Sequence, residues 1–178
     1  MCIYQIGKRI RCGHYAATCQ LVDSKQNIAL FLLDTYLDKR YQMNKTDSNK
    51  GGYLNSDLRR KLNRDFDKDP EFDCIREQLV PFHNGDRVRI PVVEELFRIN
   101  NWFEPFSVNQ WPLQRERDPT ELTTVKSNGM FTEGWLQNKC IGDKTSFACT
   151  EWNNANCGLG MIASFYYGVR PVFQLRMK

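Results

Sequence analysis

The sequence predicts an α+β fold, and three observations carry that expectation. Asn27-Ile28-Ala29-Leu30-Phe31-Leu32-Leu33-Asp34 is a continuous apolar run, the pattern of a strand buried on both faces. Behind Ser56, the residues Leu58, Leu62 and Phe66 fall four apart, which places them on one face of a helix. Short strand patterns then return near the end of the chain, at Ser146-Phe147-Ala148-Cys149 and Pro171-Val172-Phe173-Gln174-Leu175. Strands at both ends of the chain with helices between them predict a small mixed or antiparallel sheet, two main helices packed on it, and long irregular loops. At 178 residues the chain is expected to form one domain, spanning 1–178.

In chain order, Gln20-Leu21-Val22-Asp23 and the apolar run pair around a Ser24-Lys25-Gln26 turn. A polar loop with Gly51 and Gly52 follows, without the Lys-Ser/Thr helix start of a phosphate cradle. Ser56 is the expected N-cap of the first helix, and Asp57 with Lys61 a surface i,i+4 pair. Asp69 as cap, Pro70 at the first position and Glu71 in the first turn announce a second helix. Its buried stripe is Phe72, Ile75 and Leu79, and Pro81 ends it. Arg87-Val88-Arg89-Ile90 alternates as a short strand, and Pro91 to Phe97 reads as a short helix. Glu94 and Glu95 are expected to be helix-start charges favoured by the macrodipole. From Asn100 to Asn128 the sequence is irregular, with Pro105, Pro112 and Pro119 spread through it.

Composition narrows the function classes. The chain is 41% hydrophobic and 26% charged with a formal net charge of +4, ordinary globular values. Basic residues alternate with acids, as in Lys61-Leu62-Asn63-Arg64-Asp65-Phe66-Asp67-Lys68-Asp69, so no basic stripe marks a nucleic-acid partner. Seven cysteines without a short-loop framework argue against a secreted disulfide scaffold. The N-terminus has no signal-peptide core, and no apolar run reaches membrane-spanning length. The expectation is a cytoplasmic protein of a bacterial host, or one carried on a phage virion, with no membrane insertion.

The chemistry-bearing residues are sparse. Cys12-Gly13-His14 with Cys19 matches no zinc spacing and reads as an ordinary hairpin. His83, beside Asn84-Gly85-Asp86, reads as a turn residue. With two histidines no nucleophile, base and orienter assemble, so the expectation is a protein that is not an enzyme. No cofactor, structural metal or calcium is expected. The richest stretch is Thr150-Glu151-Trp152-Asn153-Asn154-Ala155-Asn156-Cys157, continuing to Phe165-Tyr166-Tyr167. Aromatic and amide side chains give large contact area and adaptable hydrogen bonds. The candidate partner-binding residues are Trp102, Phe106, Trp152, Asn153, Asn154, Asn156, Tyr166 and Tyr167. The competing reading makes the rings half-buried and the asparagines turn formers.

Four segments taken in order resemble one family. Phe31-Leu32-Leu33-Asp34 precedes Tyr53-Leu54-Asn55-Ser56-Asp57-Leu58-Arg59-Arg60-Lys61-Leu62-Asn63. Arg87-Val88-Arg89-Ile90-Pro91-Val92-Val93-Glu94-Glu95 follows, and then Ser146 to Thr150 with Gly168-Val169-Arg170-Pro171. The series is similar to the W-x-x-S-x-L-R-x-W-L-N and G-V-R-P elements of an uncharacterised bacterial and phage domain family. Tyr53 and Lys61 stand where that family commonly has tryptophan. The resemblance implies a C-type-lectin-like fold, related to the formylglycine-generating enzymes and to receptor-binding proteins of diversity-generating retroelements. It marks Ser56, Leu58, Arg59, Leu62, Asn63, Gly168, Arg170 and Pro171 as motif positions.

From the residues themselves, Gly168 suits a tight or left-handed turn and Pro171 a strand start. Arg170 can anchor the loop on a carboxylate or on carbonyls. Cys149 and Cys157 fall only loosely where the formylglycine-generating relatives hold copper, and their spacing does not match. The expected function is therefore a non-catalytic module of phage or gut-bacterial origin, binding through C-terminal aromatic and asparagine loops. A protein partner is expected first and a glycan second. The alternative is a phage or mobile-element inhibitor that blocks a host defence protein such as a nuclease.

Overall fold

A computed structural model of the chain describes residues 4–97, 102–105, 126–127, 130–131, 133–150 and 157–177. The strands are β1 (Arg9–Cys12), β2 (Tyr15–Asp23), β3 (Ile28–Leu33), β4 (Tyr41–Gln42), β5 (Val88–Arg89), β6 (Lys126–Ser127), β7 (Met130–Phe131), β8 (Gly134–Lys139), β9 (Ser146–Thr150), β10 (Cys157–Ile162), β11 (Tyr166–Tyr167) and β12 (Val172–Arg176). The helices are α1 (Asp57–Lys68) and α2 (Val93–Leu96), with 3-10 segments at Tyr53–Asn55 and Pro70–Gln78. A five-stranded sheet runs β1-β2-β3-β12-β5, and a three-stranded sheet runs β10-β9-β8. Both are antiparallel throughout. Two small ribbons, β11-β4 and β6-β7, complete the described strands. The expected α+β class holds, and β12 brings the end of the chain between β3 and β5.

Strand alternation explains why β3 is apolar throughout. Successive side chains of a strand point to opposite faces. Ala29, Phe31 and Leu33 join one core with Leu58, Leu62, Phe66, Phe72 and Phe173. Leu30 and Leu32 join a second core with Val93, Leu96, Leu136, Ala148 and Val172. All six β3 residues are buried, so neither face tolerates a polar residue. The smaller sheet divides in the same way, with Trp135 and Phe147 in the first core and Leu136 and Ala148 in the second.

Local signals set the turns. In the β2–β3 hairpin, Asp23 Oδ1 accepts the backbone N–H groups of Lys25 and Gln26, and Asn27 takes a left-handed φ of 57°. The β1–β2 hairpin pairs Cys12 with Tyr15 across Gly13-His14, and Gly13 has φ 59°.

Ser56 caps α1, its Oγ accepting the Arg59 N–H at 3.0 Å, and Leu58, Leu62 and Phe66 are buried. The expected Asp57–Lys61 pair does not form. Arg60 takes Asp57 at 2.6 Å because its planar fork also reaches the Asn55 carbonyl at 2.8 Å. Lys61 instead places its ammonium 5.4 Å from the Tyr41 ring centre.

The second predicted helix is a 3-10 segment. Asp69 Oδ1 accepts the Glu71 N–H as foreseen, but the buried residues Phe72 and Ile75 are three apart, matching three residues per turn. Leu79 lies just past its end and bridges to Leu175.

Glu95 also departs from expectation. It is 3% exposed, and its carboxylate takes a forked pair from the Arg89 guanidinium at 2.8 and 2.5 Å. The same carboxylate accepts the Val92 N–H at 3.0 Å. A carboxylate buried this deeply needs such partners, so Glu95 is a core ion pair rather than an exposed helix charge. Val92 has no side-chain acceptor, and Asn138 Oδ1 takes the Val93 N–H from the neighbouring β8 at 2.8 Å. Among the described residues, no helix is long and apolar enough to cross a membrane.

Candidate functional site

The motif residues build a buried joint between the two sheets. Of the tight or left-handed turn that Gly168 suits, it does not adopt the left-handed form. Its smallness matters for a different reason: an added Cβ would lie 2.7 Å from the Tyr36 ring and 3.0 Å from the Glu133 carbonyl oxygen. A Cβ on Gly134 would meet the same ring at 2.2 Å. Tyr36 therefore fills a slot between two glycines, where its hydroxyl meets Thr150 Oγ1 at 2.8 Å. Burial pushes the Tyr36 phenol up from its ordinary pKa. Arg170 is buried and donates through Nε to the Leu33 carbonyl at 2.5 Å, one of the anchors foreseen for it. Pro171 leads directly into β12, and its carbonyl accepts the Leu33 N–H at 2.9 Å.

The earlier motif is structural in the same sense. Arg59 bonds Asp86 at 2.7 Å and the Leu54 carbonyl at 2.6 Å. Asn63 donates to the Val88 carbonyl at 2.9 Å and accepts the N–H groups of Arg87 and Val88. Leu58 and Leu62 are fully buried.

The exposed large apolar side chains lie elsewhere. Trp102 is 72% exposed, Ile141 60%, Tyr166 57% and Phe165 49%. The turn between β8 and β9 joins Trp102 and Ile141. Ile141 donates its N–H to the Trp102 carbonyl at 3.0 Å, and Cys140 and Ser146 close the turn at 3.2 Å. On its other side Ala163 bonds Thr145, and Phe165 bonds back to Ile162, both at 3.0 Å. The β4–β11 ribbon then alternates: Tyr166 points out, whereas Tyr167 stands edge-on to Trp135, ring centres 4.9 Å apart. Burial first, then Glu133, raises the Tyr167 phenol to about 12.

Phe106, Trp152, Asn153, Asn154 and Asn156 lie outside the described residues. The flanking residues Thr150 and Cys157 pair with each other at the end of β9 opposite the 141–145 turn. A five-residue strand is roughly 15 Å long, so the Trp102 end and the Thr150 end are separate places on the molecule. Ile141 was not foreseen as a contact residue, whereas Phe165 falls within the 152–167 stretch expected to carry the contact surface. The available signal was a large apolar side chain inside a turn-forming context, Ile141-Gly142-Asp143-Lys144.

A cleft of about 460 Å³ opens near the first hairpin, lined by His14, Tyr15, Tyr41, Asp65 and Glu71 among others. His14 Nδ1 lies 2.9 Å from Glu71 and Nε2 3.1 Å from Asp38. The His14 backbone N–H also bonds Glu71, and that bond first, with the ring beside it, holds the Glu71 carboxyl below its usual range. Burial lifts the Tyr15 phenol to about 12 and raises that of Tyr41 as well. The expected hairpin at Cys12-Gly13-His14 is present, and its histidine turns to carboxylates remote in sequence rather than to Cys12 and Cys19. No group of three or more potential ligands is arranged for a metal among the described residues.

Comparison with family models, with characterised proteins and with solved structures found no match to the chain.

Proposed function

We propose that this protein is a non-catalytic binding module, C-type-lectin-like as its motifs suggest, that grips a protein partner. The observation carrying this reading is the exposed pair Trp102 and Ile141, joined backbone to backbone at the 141–145 turn, with Phe165 and Tyr166 also exposed beyond the β10 edge of the same sheet. Large aromatic anchors dominate binding energy at protein interfaces, and adjacent exposed apolar side chains such as Trp102 and Ile141 commonly mark such contacts. The turn beneath them is held on both sides by backbone hydrogen bonds, so the anchors stand on a preorganised base.

The test begins by identifying the partner through affinity capture and mass spectrometry, followed by titration of purified variants. Trp102→Ala and Tyr166→Ala are each expected to weaken binding by at least tenfold while leaving the thermal melt within about 2 °C of wild type. Loss of binding only on Trp152→Ala would move the contact surface to the Thr150 end of β9. A glycan ligand, or a stoichiometric host nuclease as the inhibitor alternative requires, would redefine the partner without moving the surface. Turnover of a substrate by the purified protein would overturn the reading.

A further inference from the structure

The β1 strand and the Pro70–Gln78 segment bring two cysteines together from distant parts of the chain. Cys12 closes β1 and is fully buried, whereas Cys74 is exposed on the 3-10 segment. The Cys74 thiol reaches the carbonyl oxygen of Arg11 at 3.5 Å, beside the Cys12 backbone. Burial raises the Cys12 thiol and the neighbouring Cys74 adds to it, so the two thiols sense one another across the β1 edge. Both are free thiols, and a bond between them would bring the sulfurs to about 2.05 Å from backbones that already lie side by side. One turn earlier, Glu71 packs so tightly on the hairpin that a Cβ on Gly13 would overlap its carboxylate. The two elements are therefore already docked where the bond would form.

We propose that Cys12 and Cys74 form a reversible disulfide by exchange with a small-molecule disulfide of the glutathione type, stapling the first hairpin to the 3-10 segment. The Cys74 thiol, being accessible, loses its proton to solvent and attacks one sulfur of the small disulfide. The S–S bond of the reagent breaks, a mixed disulfide forms on Cys74, and one small thiolate leaves and takes up a proton. Cys12 then gives up its proton and attacks Cys74 Sγ, expelling the second small thiol. Two protein thiols and one small disulfide become one protein disulfide and two small thiols, so the reagent is the only oxidant required. Burial holds the Cys12 thiol up at about 12, with Cys74 adding to it, so the second attack is the slow one. The staple would hold the His14–Glu71 contact at the rim of the neighbouring cleft.

The test treats the full chain with oxidised glutathione and maps disulfides by mass spectrometry without reduction. The expected product is a linked pair of peptides carrying Cys12 and Cys74, reversed by dithiothreitol. The closed loop of roughly 60 residues should raise the melting temperature by roughly 5–10 °C. Cys74→Ser should show neither the link nor the shift. Cys12→Ala should stop at the mixed disulfide, with one glutathione on Cys74. If Cys12→Ala does not fold, wild type against Cys74→Ser decides the matter alone. A wild-type protein that keeps glutathione on Cys74, or that links Cys74 to another cysteine, would overturn the proposal.

Discussion

Arg89 and Glu95 carry the largest residue-scale liability. Both are 3% exposed, and the guanidinium also lies with its carbon 4.8 Å from the centre of the Phe82 ring. Removing one partner leaves a buried charge uncompensated, which costs about 3–5 kcal/mol, whereas replacing both by apolar residues can be near neutral. Glu95→Ala is therefore expected to lower unfolding stability by about 3–5 kcal/mol in urea titrations. The double variant Arg89→Met with Glu95→Leu should recover most of that loss. Equal damage from the single and double variants would mean that the pair matters through shape rather than charge. Gly168 and Gly134 illustrate the opposite requirement, the absence of a side chain where Tyr36 must lie.

For α1, two polar contacts do different jobs. Ser56 satisfies one free N–H at the start of the helix, and its loss affects the helix end alone. Asn63 satisfies both sides of β5, accepting from Arg87 and Val88 and donating to the Val88 carbonyl. Ser56→Ala should cost about 1 kcal/mol. Asn63→Ala should cost more, about 2–3 kcal/mol, because several buried or half-buried backbone groups lose their partner together. Equilibrium unfolding of the two variants ranks them, and a larger loss for Ser56→Ala would contradict the bridging role of Asn63. The Pro70–Gln78 segment makes the complementary point. Its cap was readable, but its 3-10 geometry accompanies Arg76, which donates to the Asp69 carbonyl at 2.9 Å and to the Asp67 carbonyl.

Over the whole molecule, ionisable groups shape the pH range of stability. Asp57 is held low by the Lys45 N–H and by Arg60, and Asp143 by Ser146 and Thr145. For Asp65 burial acts upward, but bonds from Lys39 and Arg64 outweigh it and the carboxyl ends low. A carboxyl lower in the folded chain than its unfolded value of about 3.9 contributes stability above that pH and loses it as pH falls through the folded value. Tyr15 and Tyr167 are raised to about 12, above the unfolded phenol at about 10. Their contribution is complete below about pH 10 and is lost as pH climbs towards 12. The urea midpoint should therefore begin to fall below about pH 4 and again above about pH 10. A midpoint that keeps rising down to pH 3 would contradict the carboxyl assignments.

What the amino-acid order determined by itself was local. The β2–β3 hairpin, the Ser56 cap with its Leu58-Leu62-Phe66 stripe, and the Asp69 cap all follow from neighbours within four residues or so, where spacing maps directly onto geometry. The exposure of Tyr166 was anticipated, but its divergence from Tyr167 needed a strand partner, Gln42 and Tyr41, that sequence spacing does not reveal. Only the tertiary structure decided which polar groups meet. His14 finds Asp38 at a separation of 24 residues, Tyr36 finds Thr150 at 114, and Arg170 finds Leu33 at 137. Arg89 and Glu95 are only six apart, yet their pairing depends on burial from every side, and burial is a property of the packed chain. Periodicity says which face of an element turns inward, while the choice of what it meets there belongs to the closing of the sheets.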